Sequence, residues 1–238
     1  MNSIKLRYAA SLANVGPGYD IFALGLKEPY DDLSVTLTSD NDIELCFTGE
    51  PNNIPTTVDD NCIGVALKEL FKRKRIQQGI KVNVNKMMRS GAGLGTSGGS
   101  AVAALYGINK LMHLSLTNNE LIDIACLSEV ASGGSPHADN AAAALLGGFV
   151  LIRNYHPIDA LRLDVPEFHC VVAIINKSLR TTRGFITYGI GQEKLKEQMA
   201  RCSRVIHAIH TKDVIEFGKA ISVDHIAEPV RGAAIPNY

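Results

Sequence analysis

SGAGLGTSGGS, residues 90–100, is the stretch on which the reading of this chain turns. Its glycines, Gly91, Gly93, Gly95, Gly98 and Gly99, let backbone N–H groups approach an anion with no Cβ in the way. Ile80, Val82 and Val84 alternate ahead of it and predict a strand, while Ala101, Leu105, Ile108 and Met112 share one face of a predicted helix behind it. A strand, a glycine-rich loop and a helix N-terminus bring bare N–H groups and the positive end of a helix dipole to one place, and phosphate is the natural occupant.

Three phosphate-binding readings compete. A Walker A loop requires Lys and then Ser or Thr after its last glycine, and none follows here. Gly93-Leu94-Gly95-Thr96-Ser97-Gly98 satisfies G-x-G-x-x-G, but the acidic residues about 20 positions on, Glu120 and Asp123, fall inside a predicted helix and not at the end of a second strand. What remains is a kinase-type loop in which Thr96 and Ser97 add hydroxyls for phosphate or Mg2+, with a purely structural glycine turn as the bland alternative.

Outward from the loop, Ile4, Leu6 and Tyr8 alternate as a strand that runs into LANVGPGYD, and Leu33–Leu37 and Ile43–Phe47 are further strands. A helix is expected from Ile63, with Ala66, Leu67, Leu70 and Phe71 on its apolar face, Asn61 as its cap and the basic run Lys72–Arg75 in its last turn. Thr117 and Glu120 form a capping box for a helix reaching Glu129, stopped by Gly133-Gly134. SPHADN opens a short Ala-rich helix that Gly147-Gly148 closes. Phe149–Ile152 and Phe168–Ile175 read as buried strands, with helices near Lys194–Ile209 and Asp213–Ile221. Strands dominate before Asn85 and helices with a few strands follow, so an α+β fold in two joined lobes is expected, divided into 1–150 and 151–238.

Composition removes several classes of function. A chain of 238 residues with 46% hydrophobic content is an ordinary globular protein and not a disordered one. Lys+Arg and Asp+Glu both number 24, so no global basic field draws in nucleic acid. Five dispersed cysteines with no C-x-x-C pair fit buried thiols in a reducing cytosol. No membrane span or targeting segment is expected, since the most apolar run, from Ala141, is short and broken by Gly147-Gly148.

GAGLGTSGGS resembles the second motif of the GHMP kinases, usually G-x-G-L-G-S-S-A-A. SLANVGPGYD resembles that family's first motif, SGGSPHADNAAAALLGG the stretch marking its homoserine kinase branch, and EPVRGAAIPNY a later substrate-side segment of that branch, in the same order along the chain. The resemblance implies a two-lobed GHMP kinase fold, with an N-terminal lobe like ribosomal S5 domain 2 and a ferredoxin-like C-terminal lobe. It implies transfer of a phosphoryl group from ATP, with Mg2+, to the side-chain hydroxyl of L-homoserine on the way to threonine, by a cytoplasmic homodimer. Binding of nucleic acid or membrane is not implied.

Carried over by position, the resemblance puts the ATP phosphates on Gly91, Ala92, Gly93, Leu94, Gly95, Thr96 and Ser97, the nucleoside near Asn61, and Mg2+ on Ser97 and Glu129. It points to Asn14, Asp20, His137, Asp139 and Arg231 for the amino acid, with Asn140 close to the transferring phosphate. A carboxylate, an ammonium and a hydroxyl require that complement of guanidinium, carboxylate, amide and imidazole. Asp20 or Asp139 is placed to take the hydroxyl proton, and positioning with charge stabilisation and no base is the other option. The bland readings are a solvated helix residue for Glu129, a surface residue for His137 and a helix-dipole partner for Asp139.

Departures from the family pattern bear on several of these roles. Thr96-Ser97-Gly98-Gly99 keeps the hydroxyls but loosens the helix start by about 1 kcal/mol per glycine. Where the family shows T-x-x-x-R, Thr181 is followed by Thr182, Arg183, Gly184 and Phe185, so the second carboxylate-binding arginine is displaced or missing, with Arg183 or Arg180 as the candidate substitutes. The family's glycine-rich third motif, expected after Tyr238, is absent, which implies an incomplete C-terminal lobe and little turnover. Phosphorylation of another small alcohol such as mevalonate, and a catalytically silent nucleotide-binding fragment, are the competing functions.

Overall fold

The computed structural model describes residues 2–50, 54–130, 136–174, 189–232 and 235. Its centre is an open sheet in the order β3-β4-β2-β5-β6, with β1 also paired to β2. The strands are β1 (Ser3–Ala13), β2 (Phe22–Thr38), β3 (Ile43–Gly49), β4 (Gly79–Lys86), β5 (Gly148–Tyr155) and β6 (Ile158–Leu163). β3 runs parallel to β4 with Leu45 opposite Val82, and the other pairings are antiparallel.

β2 organises the sheet. Only Leu33–Leu37 is legible as a strand from alternation, because Gly25 and Pro29 interrupt the pattern upstream. In the fold its second half pairs with β4 and its first half with β5, both while it pairs along its length with β1. Strand alternation then divides the molecule into two cores. Ala23, Leu33 and Val35 of β2 and Val150 and Ile152 of β5 face the first, whereas Phe22 of β2 and Phe149 of β5 face the second.

Helices α1 (Cys62–Lys74), α2 (Thr96–Leu111), α3 (Asn118–Ser128) and α4 (Asp139–Leu146) fill the first core. α2 is central, and its buried residues run from Gly98 to Asn109 on nearly all sides. The expected caps are present: Asn61 Oδ1 accepts from Ile63 N, and Thr117 and Glu120 form the capping box. Arg73 leaves the last turn of α1 to pair with Glu69 and Asp123, both at 2.7 Å.

The second core receives α5 (Gln192–Thr211) and α6 (Val214–Ile221), whose Val205, Ala208, Ile209, Phe217 and Ala220 pack on Phe22 and Phe149. Phe149 and Phe217 meet edge to face with centroids 5.6 Å apart. A short α7 (Glu228–Arg231) follows. The division expected at residue 150 lies inside β5, and β6 stays in the same sheet.

One expected element is corrected. Residues 168–174 of the stretch Phe168–Ile175 form no strand, and Val171 is 98% exposed. An apolar run becomes a strand only where a sheet edge takes its backbone bonds, and among the described residues nothing pairs with this one. Phe168 is held instead by its ring against Phe217, centroids 5.3 Å apart. Among the described residues no helix is long and apolar enough to cross a membrane.

Candidate active site

The loop between β4 and α2 is shaped by three glycines with left-handed backbone, Gly91 (φ 76), Gly93 (φ 80) and Gly95 (φ 64). The latter two have opposite surroundings. A Cβ on Gly93 would meet nothing within 4 Å, so the backbone there is open. A Cβ on Gly95 would fall 2.0 Å from Ser11 Oγ and 2.4 Å from Asn140 Oδ1, so that position is closed against the protein. Leu94, buried between them, accepts the Ser11 N–H on its carbonyl at 3.0 Å. The loop is thus pinned at Leu94 and Gly95 and open at Gly93, next to the start of α2, whose first N–H groups have no partner within the helix.

Below the loop lies a buried ion pair between Lys86 and Asp31. Asp31 Oδ1 accepts the N–H groups of Met87 and Met88 at 2.7 and 2.8 Å, and Oδ2 accepts the Tyr8 hydroxyl at 2.8 Å. The carboxylate therefore fixes the chain where it leaves β4 for the loop. Tyr8 in turn lies under α2, where a Cβ on Gly99 would come within 2.9 Å of its ring. Burial and the Asp31 charge push the Tyr8 hydroxyl pKa upward, so it remains a donor.

Glu129, at the C-cap of α3, is buried, and its Oε1 would lie 3.1 Å from a Cβ on Gly98. The glycine pair that loosens the helix start thus has a packing reason: a side chain at 98 would crowd this carboxylate and Asn140. The bland reading of Glu129 as a solvated helix residue does not hold. Ser97 and Glu129 offer hard oxygen donors at the head of α2, a set that fits Mg2+ beside phosphates.

The other side of the site is built on the loop from Asn14 to Asp20. Both of these residues adopt positive φ, 57° and 58°, and Asp20 N donates to Asn14 Oδ1 at 2.9 Å. The Tyr155 hydroxyl donates to Asp20 O, and His137 Nδ1 sits 3.2 Å from Asp20 Oδ1. His137 and Asp139 are both buried, which removes the surface reading of His137. Asp139, in the first turn of α4, accepts the Asn140 N–H at 2.8 Å. Burial first, and then Asp123, Asp139, Glu129 and Asp20, push the Cys126 thiol up to about 12, so the last three carboxylates bear on one small region.

Arg231 reaches the same loop from α7, its guanidinium 5.9 Å from the centroid of the Tyr19 ring. Most of the expected residues are therefore brought together: Gly91–Ser97, Asn140 and Glu129 on one side, and Asn14, Asp20, His137, Asp139 and Arg231 on the other. Asn61 has a structural task at the head of α1, where Nδ2 donates to Pro55 O at 2.7 Å and Oδ1 caps the helix. Thr181, Arg180, Arg183 and Gly133-Gly134 lie outside the described residues. Ser11, Asp31, Lys86 and Tyr155 support the site but carry no signal of it, since the first three act from buried positions and Tyr155 from a half-buried one, all through partners distant in sequence.

Fold and site define a GHMP kinase, and residues 61–148 match the GHMP kinases N terminal domain. The homoserine kinase of Methanococcus vannielii is 33% identical over 241 residues, covering 100% of this chain and 80% of that protein. That of Sulfurisphaera tokodaii is 38% identical over 236 residues, covering 96% and 76%. The crystal structure of homoserine kinase from Cytophaga hutchinsonii superposes with a TM-score of 0.85 at 30% identity, covering 99% of this chain and 76% of that one. Mevalonate diphosphate decarboxylase from Staphylococcus aureus shares the fold at a TM-score of 0.67 and 19% identity, covering 92% and 71%. The chain belongs to the homoserine kinase family of GHMP kinases.

Proposed function

We propose that this protein transfers the γ-phosphoryl group of ATP to the side-chain hydroxyl of L-homoserine, giving O-phospho-L-homoserine and ADP. The observation that carries the reading is that the helix bearing Asn140, which meets the glycine loop at Gly95, begins at Asp139 two residues after His137, the partner of Asp20. The loop backbone from Gly91 to Ser97 receives the phosphates, and Ser97 and Glu129 hold Mg2+. Bound there, the cation offsets negative charge on the phosphate oxygens.

The amino-acid groups divide by charge. Arg231 pairs with the homoserine carboxylate, and Asp20 and Asp139 surround its ammonium, with Asn14 and His137 fixing Asp20. Asn140 donates from Nδ2 toward the transferring phosphoryl group, because its Oδ1 is already turned to Ser11. The homoserine oxygen forms the new P–O bond as the bridge to ADP breaks, and the hydroxyl proton passes to phosphate oxygen or solvent without a dedicated base. Positioning and charge stabilisation then supply the catalysis. A cytoplasmic homodimer belongs to the same reading. The experiment is ADP release by the purified chain with homoserine, mevalonate, serine and threonine as acceptors. Homoserine-dependent release with the others near background supports the proposal, and preference for another alcohol overturns it.

A further inference from the structure

We infer that Gln198, which touches no proposed ligand group, is a positioning residue that holds the two halves of the homoserine site in register; this rests on the function proposed above. Gln198 lies on α5 and is 3% exposed. Both amide N–H groups and the carbonyl oxygen are engaged between segments remote in sequence. Nε2 donates to Pro17 O at 2.7 Å, 181 residues away, and to Asp224 Oδ1 at 2.8 Å. Oε1 accepts the His225 N–H at 2.8 Å. Only this orientation of the amide matches donors to acceptors at every contact.

Each of those partners leads to the site. Pro17 lies within the Asn14–Asp20 loop, three residues before Asp20, and Cys202 one turn further along α5 also donates to the Pro17 carbonyl, at 3.3 Å. Asp224 caps the segment that carries Arg231: Oδ1 accepts from Ile226 N, and Oδ2 accepts from Ala227 N and Glu228 N at 2.8 and 2.9 Å. Loop and helix then touch at their far ends, through Tyr19 and Arg231. The triangle closes, and Gln198 is the corner that belongs to neither ligand-binding segment.

A buried amide satisfied on every atom resists rearrangement, because loosening either segment leaves a buried polar group unpaired. The carboxylate-binding guanidinium and the ammonium-binding carboxylate must keep the spacing of one amino acid, and this amide sets that spacing. The phosphate loop has no bond to Gln198, so its geometry is independent.

The test is steady-state kinetics of the full chain with Gln198→Met, which keeps length and burial but removes the two donors and the acceptor. The KM for homoserine is expected to rise about tenfold or more with the KM for ATP within about twofold, the size of effect that follows from losing one hydrogen bond to a charged group. Asp224→Asn, which keeps the acceptor facing Gln198 but weakens the cap under Arg231, is expected to give the same split to a smaller degree, and it decides the matter if Gln198→Met does not fold. Equal rises in both KM values, or unchanged KM values with a lowered melting temperature, would overturn the inference while leaving the proposed function in place. A wild-type chain that releases ADP with another alcohol in preference to homoserine would overturn both.

Discussion

Ser11 Oγ donates to Asn140 Oδ1 across 2.9 Å, joining the first strand to the head of α4 over 129 residues, and Gly95 packs against both atoms. The contact closes one end of the phosphate loop and orients the Asn140 amide in a single act. Gly95→Ala therefore inserts a methyl group into the contact and also forces an L residue to φ 64°, at about 1 kcal/mol for the backbone alone. Turnover is expected to fall by about a hundredfold or more, because a small misplacement of reacting groups is that costly, while circular dichroism stays close to wild type. Gly93→Ala, where a Cβ meets nothing but φ is 80°, is the control, and it is expected to lose less.

Glu129→Gln keeps the shape beside Gly98 and removes the charge. The concentration of Mg2+ giving half-maximal rate is expected to rise about tenfold or more, the worth of a lost charged ligand interaction. A Mg2+ titration at saturating ATP checks this, and an unchanged midpoint would leave Glu129 a packing residue of α3.

Arg231→Ala is expected to raise the KM for homoserine by about 10- to 150-fold, from the roughly 1.5 to 3 kcal/mol of a charge-assisted hydrogen bond. The KM for ATP should hardly move. If both rise together and the melting temperature drops, the guanidinium serves only to pack α7 on Tyr19.

Asp31→Ala leaves the Lys86 ammonium buried with no counter-charge and frees the N–H groups of Met87 and Met88. A loss of about 3 to 5 kcal/mol in unfolding free energy is expected, which urea denaturation measures. The double replacement Asp31→Asn with Lys86→Met should recover much of that stability, since it removes both charges and keeps an amide oxygen to accept the Met87 and Met88 N–H groups.

The Cys126 thiol, pushed up to about 12 by burial and the neighbouring carboxylates, predicts the alkaline stability. Above its unfolded value of 9.0 the unfolded chain releases this proton while the folded chain keeps it, so stability is full below pH 9 and declines as pH rises toward 12. Cys46 and Cys202 are raised mainly by burial and act in the same direction. Urea midpoints between pH 8 and pH 10 should therefore fall for the wild type and fall less steeply for Cys126→Ala. Parallel slopes would show that the folded chain holds this thiol's proton no more tightly than the unfolded one, through neither burial nor the neighbouring carboxylates.

The features legible in the bare sequence are local ones. The loop from Gly91 to Gly99 was legible because positive φ and close approach demand glycine at fixed spacing, and the caps at Asn61, Thr117 and Asp213 were legible because a helix end needs an acceptor within three residues. Family motifs added Asn14, Asp20, His137, Asp139 and Arg231 as a set, without the contacts between them. The tertiary structure alone decided which of the polar residues line the site and which hold it up. Ser11, Asp31, Lys86 and Gln198 read as ordinary strand and helix residues, since their partners lie 23 to 181 residues away and a hydrogen bond leaves no mark on sequence spacing once the chain has folded back. It also decided that Phe22–Thr38 is one strand in spite of Gly25 and Pro29, and that residues 168–174 are none, because a strand exists only where a neighbouring strand supplies its backbone partners.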